Sequence, residues 1–395
     1  MRRQNGVYIG ELGLAISRAR PTRPGRRGEC TPFPVTTIDP DVNGIYAPLD
    51  VFLLRLLDDP TFRAPSAECA EAVWHPLFAR RLYGNVNEVL KWRLKAALAT
   101  KRALSPEGEG VDGGREGGGR SDPVAVPHIH EEHQDIGLCG SPLGVYYPGD
   151  LALTHWGDLD CHPPDTKLVV LPGGVRHSLR LVRNGSLWQP TDHELVRAAR
   201  GAYAPETIHA PRSRTLFFRG ASREDRAPED VALACFRPNR TASCRDGVYS
   251  LGIRQTVKRV LGGHPMVNLS GGRLLPWLYA RALREHHFCL TAPGMGFGVR
   301  IVDYVVSGCL PVVVRPGRLL LPFEPDLDYS EFAVSVDFAD IAHLPSMLAG
   351  LSDEEIRRKR ERLRDVHRMF VWDAAYGRAY EAVREQVQAR LRLTG

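Results

Sequence analysis

The chain has 395 residues, of which 43% are hydrophobic and 25% charged, and these fractions are ordinary for a globular protein. Its formal net charge of +6 is spread over many arginines rather than gathered in one basic tract, so the charge gives no basis for nucleic-acid binding. No apolar stretch is long enough to span a bilayer, so no membrane anchor is predicted in this chain, and the length predicts two domains.

The N-terminal half predicts short strands and two helices around a low-complexity insert. Residues 105–122 combine glycine with charged residues and have nothing to bury, so we expect a disordered surface segment. The polar, proline-bearing stretch 189–212 is predicted to be a hinge, between one domain at 1–205 and a second at 206–395. The predicted strands are 7–9, 124–130, 151–154 and 167–171, and the predicted helices are 50–57 and 86–104.

The C-terminal half alternates between strands and helices, which implies a parallel, doubly wound sheet and an α/β fold. A capping box formed by Ser352 and Glu355 starts what we expect to be the last helix. The other predicted elements are strands at 215–218, 266–269, 288–290, 312–314 and 332–336, and helices at 250–261, 274–285 and 339–351.

The most informative stretch is a strand, glycine loop, helix and second strand at residues 287–315. Glycines at alternate positions leave backbone N–H groups bare and let a ligand approach closely; they are Gly294, Gly296 and Gly298. A helix follows directly, and Gly308 stands where its left-handed stop is expected. The unit therefore points an open helix N-terminus at whatever lies above the sheet.

Two charged residues in that helix suggest a binding site. Arg300 is expected in the first turn, where the helix dipole disfavours a cation unless an anion such as a diphosphate binds there. Asp303, three residues on, could accept hydrogen bonds from ribose hydroxyls. The alternative is that the two residues pair with each other on a solvated face. S-adenosylmethionine and NAD sites want an acidic residue at the end of the next strand, which here ends in Arg315.

These residues belong to an ordered set that resembles the exostosin family of glycosyltransferases. The family more often has Glu at the position of Asp303 and commonly Trp at the position of Tyr329. The resemblance covers most of the C-terminal half and rests on Phe288-Cys289-Leu290, Arg300, Asp303, Gly308-Cys309, Pro311-Val312, Leu321-Pro322-Phe323-Glu324 and Asp328-Tyr329.

The resemblance implies a GT-B fold, with two Rossmann-like domains facing across a cleft. It implies an inverting glycosyltransferase that takes a nucleotide diphosphate sugar, most often a UDP-sugar, as donor and a glycan or proteoglycan as acceptor, in the Golgi lumen. The glycine loop and Arg300 would hold the diphosphate and Asp303 the ribose. Arg219-Gly220 at a predicted strand end could add a phosphate contact, with a surface arginine as the alternative. Neither a metal nor another cofactor is expected to be required.

A candidate general base lies in the N-terminal half. The segment from His133 through Asp135 to Cys139 resembles the family's His-Asp-x-Gly-x-Cys run, with Gln134 inserted. An inverting transfer needs a base within reach of the acceptor hydroxyl, so His133 and Asp135 are the candidate catalytic residues. Alternatively, the pair only stabilises the loop, or His133 joins His128 and His130 in a metal site.

The eight cysteines include no C-x-x-C and no zinc spacing. A bridge between Cys289 and Cys309 is geometrically plausible, and Cys235 and Cys244 could form a second; unpaired thiols are the alternative. Two rival functions remain open at this stage: a different nucleotide-cofactor enzyme such as a methyltransferase, and a catalytically silent glycan-binding relative.

Overall fold

The computed structural model describes the larger part of the C-terminal half and shorter ranges of the N-terminal half. The predicted strand at 7–9, the predicted helix at 86–104, the insert at 105–122 and the pair Cys235 and Cys244 lie outside the described residues. The structure describes residues 14–16, 51–52, 54–56, 59, 72–75, 128–132, 149–155, 157–159, 167–173, 179–184, 187–221, 249–272, 274–293, 300–315 and 319–392.

A five-stranded sheet is built from the N-terminal half. Its order is β1-β2-β3-β4-β6; β1 is antiparallel to β2, and the other neighbours are parallel. Residues 151–154 match their predicted strand, while the strand predicted at 124–130 is described at His128–Glu132. The strands are β1 (Leu14–Ile16), β2 (Ala72–His75), β3 (His128–Glu132), β4 (Leu151–Thr154) and β6 (Lys167–Val170). Strand β5 (Gly157–Asp158) pairs antiparallel with β13 (Leu319–Leu320) in a separate two-stranded sheet.

The stretch predicted as a hinge is mostly regular structure. A hairpin of β7 (Arg180–Asn184) and β8 (Leu187–Thr191) is followed by helix α1 (His193–Ala202). Asp192 caps the helix, since its side chain accepts a hydrogen bond from the backbone N of Leu195 at 3.1 Å. The polar composition that suggested a hinge belongs to the exposed side of this helix, while its other side is buried.

A second five-stranded sheet is parallel throughout, as predicted. Its order is β10-β9-β11-β12-β14, so the second strand in sequence lies outside the first. The strands are β9 (Ser213–Arg219), β10 (Val267–Ser270), β11 (His286–Thr291), β12 (Leu310–Arg315) and β14 (Val334–Asp337). The helices are α2 (Ile253–Leu261), α3 (Pro276–Glu285), α4 (Arg300–Ser307), α5 (Leu344–Gly350) and α6 (Asp353–Val366). The predicted α/β class with two Rossmann-like sheets is confirmed.

Several local signals in the sequence act as expected. Gly308 has φ +68° and ends α4, and the Ser352–Glu355 capping box starts α6. Cys289 and Cys309 form a disulfide with a Cα–Cα distance of 5.9 Å, which confirms the first predicted bridge. It ties β11 to the residue just before β12.

The predicted last helix is not the last one, because α7 (Ala379–Arg392) follows it. This helix packs on β4 and β6 of the first sheet. The ring of Tyr380 lies 5.3 Å from that of Phe52, Arg384 forms an ion pair with Asp59 at 2.9 Å, and Lys167 Nζ donates to the carbonyl of Arg390 at 2.9 Å. The domain boundary near residue 205 remains a prediction. Within the described ranges, no helix is both long and apolar enough to cross a membrane.

Candidate functional site

The strand order of the second sheet identifies the place where a ligand is expected. From β9 the chain moves outward to β10, and from β11 it moves the opposite way to β12. The order therefore reverses between the neighbouring strands β9 and β11. In open α/β sheets ligands bind outside the carboxyl ends of the strands at such a switch point. The described residues at this point are 219–221 and 291–293.

Two consecutive phenylalanines show which helices flank this point. The ring of Phe217 lies 6.1 Å from that of Tyr279 in α3, whereas the guanidinium of Arg254 in α2 lies over the ring of Phe218. Successive side chains of a strand point to opposite faces. Helices α2 and α3 therefore cover opposite faces of the sheet.

Arg300 lies in the first turn of α4, as predicted, and is its first residue. Its side chain extends to the end of β9, where Nη1 donates a hydrogen bond to the backbone carbonyl of Arg219. Its Cζ lies 5.0 Å from the centroid of the Phe218 ring, within the range of a cation–π contact. A cation is thus held at the positive end of a helix, over a ring at the switch point.

A second arginine, which was not predicted as a site residue, occupies the matching position on α2. Arg254 is the second residue of that helix and only 5% exposed. Its Nη1 donates to the carbonyl of Ala221 at 3.1 Å and its Nη2 to that of Ala292 at 3.0 Å, so it joins the ends of β9 and β11. Its Cζ lies 5.2 Å from the Phe218 centroid. Arg300 was selected because it is a cation in the first turn of a helix, where the dipole disfavours it, and the same reasoning would have selected Arg254.

Gly220 makes room for the Arg300 guanidinium. A Cβ on this residue would lie 2.7 Å from Nη2 and 3.0 Å from Nη1 of Arg300, and 3.1 Å from Cζ of Phe218. Any larger residue would have to displace the guanidinium, which is the flexible end of a long side chain. The predicted Arg219-Gly220 pair is therefore brought together with Arg300.

The Arg219 side chain turns toward the neighbouring strand. Its Nη1 donates to the hydroxyl of Ser270, the residue paired with it in β10, and its Nε is buried without a hydrogen-bond partner in the described structure. Arg219 therefore contributes its carbonyl to Arg300 and one unused donor to this edge of the sheet.

The environment keeps Arg300 charged. Burial alone lowers the pKa of its guanidinium, but Tyr304, Tyr279 and the Asp303 carboxylate together outweigh burial and raise that pKa above its ordinary value. Asp303 itself is 8% exposed. Pairing of Arg300 with Asp303 on a solvated face, the alternative raised by the sequence, does not fit this burial.

The remaining predicted site residues cannot be placed. Gly294, Gly296 and Gly298 follow the last described residue of this connection, Pro293, and lie outside the described residues, as do His133 and Asp135. Strand β3 ends at Glu132, immediately before His133. Among the described residues no group of three or more His, Cys, Asp or Glu could hold a metal ion.

Arg315 at the end of β12 is paired with a nearby acidic residue, Glu324. Arg315 binds Glu324 through two hydrogen bonds of 2.6 and 3.0 Å, and the same carboxylate accepts from the backbone N of Leu321 at 2.8 Å. The acidic residue near this strand end is thus already engaged. The structure agrees here with the sequence argument against an S-adenosylmethionine or NAD site.

The described site belongs to a doubly wound α/β protein and brings two arginines, Arg254 and Arg300, together at the switch point of the second sheet. Residues 188–351 match the exostosin GT47 domain, which confirms the resemblance read from the sequence. The match includes the ends of β9 and β11, both arginines and Gly220.

Plant proteins are among the relatives of this chain. The chain is 31% identical over 118 residues to the probable glucuronosyltransferase GUT1 of Oryza sativa subsp. japonica, covering 30% of this chain and 28% of that protein. It is 29% identical over 118 residues to the probable beta-1,4-xylosyltransferase IRX10L of Arabidopsis thaliana, with the same shares. The matched part therefore spans less than a third of either relative's length.

Anabaena Alr3699/HepE in complex with UDP and glucose is among the solved structures that align with this chain. The alignment has 11% identity and a TM-score of 0.33, and it covers 67% of this chain and 71% of that one.

Proposed function

We propose that this protein is an inverting glycosyltransferase that transfers a sugar from a UDP-sugar to a glycan or proteoglycan acceptor. The observation that carries the proposal is the meeting of Arg254 and Arg300 over one ring at the switch point. Each guanidinium comes from the first turn of a different helix, and the two helices follow the two strands between which the order reverses.

A diphosphate is the ligand that fits this charge arrangement. Two cations near one ring repel each other, and each also opposes its own helix dipole. An anion with two adjacent phosphates reverses both effects, because it pairs with both guanidinium groups and accepts from backbone N–H groups at both helix N-termini. A nucleoside diphosphate sugar contains such an anion, and its nucleoside diphosphate is the leaving group when the sugar is transferred.

The other donor contacts follow from chain order. We assign the loop containing Gly294, Gly296 and Gly298 to the diphosphate, since it joins the end of β11 to the first turn of α4. Asp303 is assigned to the ribose. Arg219 would add a phosphate contact through its unused Nε, and Gly220 leaves space for Arg300.

Transfer with inversion requires one displacement at the anomeric carbon. The acceptor hydroxyl attacks from the face opposite the diphosphate, loses its proton to a base, and the bond from the anomeric carbon to the diphosphate oxygen breaks. We assign the base to His133 or Asp135 in the N-terminal half. The two arginines stabilise the negative charge that develops on the leaving diphosphate, so the reaction as proposed requires no metal.

The proposal draws further support from the matched family and from its relatives. GUT1 and IRX10L are named as sugar transferases, and the part of this chain that aligns with each is 118 residues long. A GT-B arrangement would place the acceptor against the first sheet. The Golgi lumen is the location we propose on the same resemblance.

A panel of donors tests the activity directly. The chain would be incubated with UDP-glucuronic acid, UDP-xylose, UDP-galactose and UDP-arabinose and oligosaccharide acceptors, and released UDP would be measured with and without acceptor. We expect acceptor-dependent release from one donor, and we expect Arg254→Lys to reduce it, because Lys keeps the charge but cannot join the ends of β9 and β11.

Binding measurements separate the rivals. Thermal shifts with UDP, NAD and S-adenosylmethionine should show stabilisation by UDP alone. Stabilisation by S-adenosylmethionine would identify a methyltransferase instead. Oligosaccharide binding without hydrolysis or transfer of any UDP-sugar would identify a glycan-binding protein.

A further inference from the structure

Two hydroxyl groups are buried near the carboxyl ends of the parallel strands in the second sheet. Thr291 is the last residue of β11 and is 5% exposed, and Ser250 is 0% exposed. Within the described structure, neither Thr291 Oγ1 nor Ser250 Oγ has a hydrogen-bond partner. Burying a hydroxyl in this way costs free energy, so both groups need an explanation.

Thr291 faces the side of the sheet that α4 covers. Side chains two residues apart on a strand point to the same face, so Thr291 shares a face with Cys289. Cys289 lies there in one apolar cluster with Tyr304 of α4, whose hydroxyl donates to the Leu290 carbonyl at 3.0 Å. Arg300 lies about one turn nearer the start of this helix. The Thr291 hydroxyl is therefore near the end of the sheet where α4 begins.

Ser250 precedes the other helix of the site. The 3₁₀ turn Tyr249–Gly252 leads directly into α2, and its last residue, Gly252, has no side chain with which to cap the first turn of α2. Arg254 in that first turn donates to carbonyls at the ends of both β9 and β11. These contacts place the start of α2 at the switch point, with Ser250 four residues before Arg254.

A hydroxyl without a partner can donate its proton to an incoming anion. Phosphate oxygens accept such hydrogen bonds, and bonds to a charged acceptor are stronger than those between neutral groups. Each hydroxyl also accompanies one arginine of the site, since Ser250 precedes the helix of Arg254 and Thr291 precedes the helix of Arg300. We propose that the Ser250 and Thr291 hydroxyls donate hydrogen bonds to the donor diphosphate. This inference rests on the proposed function and adds two neutral donors to its two cations.

A binding role and a structural role predict opposite changes in stability. A hydroxyl that holds the fold together through a hydrogen bond destabilises the protein when it is removed. A buried hydroxyl without a partner costs free energy until its ligand binds. Its replacement by an apolar group of similar shape should therefore leave the protein as stable as before, or more stable. Binding sites often give up stability for function in this way.

Thr291→Val and Ser250→Ala test the inference. Each variant should bind UDP about tenfold more weakly by calorimetry, because each removes one hydrogen bond to a charged group. Affinity for uridine, which has no phosphate, should not change. Without ligand, the melting temperature of each variant should equal or exceed that of the wild type.

Thr207→Val is the matched control, because the Thr207 hydroxyl is already engaged by the fold. It hydrogen-bonds the carbonyls of Gly201 and Ala204 at 2.6 and 3.1 Å. Removing this hydroxyl should lower the melting temperature and leave UDP affinity unchanged.

The outcomes separate the two proposals. Wild-type UDP affinity in Thr291→Val or Ser250→Ala would overturn the assignment of the residue concerned and leave the proposed function standing. A lower melting temperature, or a failure to fold, would also overturn that assignment, because the hydroxyl would then serve the fold. An equal loss of uridine affinity would overturn a contact with the diphosphate. A wild type that does not bind UDP would overturn the proposed function, and this inference with it.

Discussion

The amino-terminal and carboxyl-terminal ends of the parallel strands, here called the amino edge and the carboxyl edge of the second sheet, use partly buried arginines in opposite ways. At the amino edge, Arg212 donates to the carbonyls of Leu283, Ser307 and Gly308 at 3.4, 3.4 and 2.7 Å, at the ends of α3 and α4. At the carboxyl edge, Arg300 lies at the start of the same α4. The helix dipole favours a cation at the C-terminus of α4, where Arg212 lies, and disfavours one at its N-terminus, where Arg300 lies.

Whether the helix dipole favours or opposes the cation also determines which arginine is suited to bind a ligand. Arg212 binds carbonyls of the fold itself, and so does Arg360, which donates to the carbonyls of Thr207 and Ala210 at 3.2 and 3.3 Å. Arg300 and Arg254 bind carbonyls too, but both remain in first turns where another anion would still be favourable. An arginine at a helix N-terminus is therefore the better candidate for a ligand contact than one equally buried at a C-terminus.

The largest expected effect comes from removing the cation at the carboxyl edge. Arg300→Ala should lower turnover of the UDP-sugar about a hundredfold or more, because losing one stabilising contact to the developing charge costs about 2.7–4 kcal/mol. The melting temperature should stay near that of the wild type. Arg281→Ala, which removes an exposed arginine paired with Glu285 at 2.6 Å, is the control. Near-normal turnover in Arg300→Ala would contradict a ligand-binding role for the arginine at the carboxyl edge.

Removing the cation at the amino edge should have the complementary result. Arg212→Ala leaves three carbonyls without their donor and should cost about 1.5–3 kcal/mol of unfolding free energy, measured with urea. UDP affinity of the folded protein should not change. Arg358→Ala, at an exposed position of α6, should affect neither quantity. A loss of UDP affinity in Arg212→Ala would contradict a purely structural role.

A smaller change should move the carboxyl-edge cation without removing it. The Cβ of Gly220→Ala would meet the Arg300 guanidinium at 2.7 Å, and we expect the side chain to move away while the fold persists. UDP affinity should fall about tenfold, or about 1.4 kcal/mol. Gly271→Ala is the matched control, since no atom lies within 4 Å of its added Cβ. Equal UDP affinity in the two variants would show that the guanidinium need not lie at the end of β9.

The smallest effect concerns pH and the amino edge. Burial first, then the charges of Arg360, Arg212 and Arg214, lower the pKa of His287 to about 4, although Asp353 opposes them. Between about pH 4 and 6.5 the unfolded chain binds more protons at this residue than the folded chain, so stability rises with pH there and is flat above.

The side chain of His287 is partly exposed, and solvent screening should limit its contribution to about 1 kcal/mol. Urea titrations at several pH values should show less dependence on pH over this range in His287→Gln than in the wild type. If the pH dependence of stability were identical in the two proteins, burial and the nearby arginines would not lower the pKa of His287 in the folded state.

Sequence reasoning found the features that depend on neighbours in the chain. These features are the position of Arg300 in the first turn of α4, the end of that helix at Gly308 and the capping box of α6, and each follows from a few adjacent residues. The Cys289–Cys309 bridge followed from two consecutive strands. The residues of the exostosin resemblance were likewise recognised as an ordered set along the chain.

Features that depend on distant contacts were missed. Arg254 becomes informative only when its helix is placed beside β9 and β11, since its partners Ala221 and Ala292 lie far away in sequence. Helix α7 was missed because its buried side is matched to strands from the other end of the chain, and no local signal records that match.

The position of α7 has a consequence for biosynthesis. Residues 379–392 are translated after every strand of both sheets, yet they cover β4 and β6 in the first one. Until they leave the ribosome, apolar surface of the earliest-made half has no permanent cover. The first sheet can therefore be completed only after every strand of the second sheet has been made.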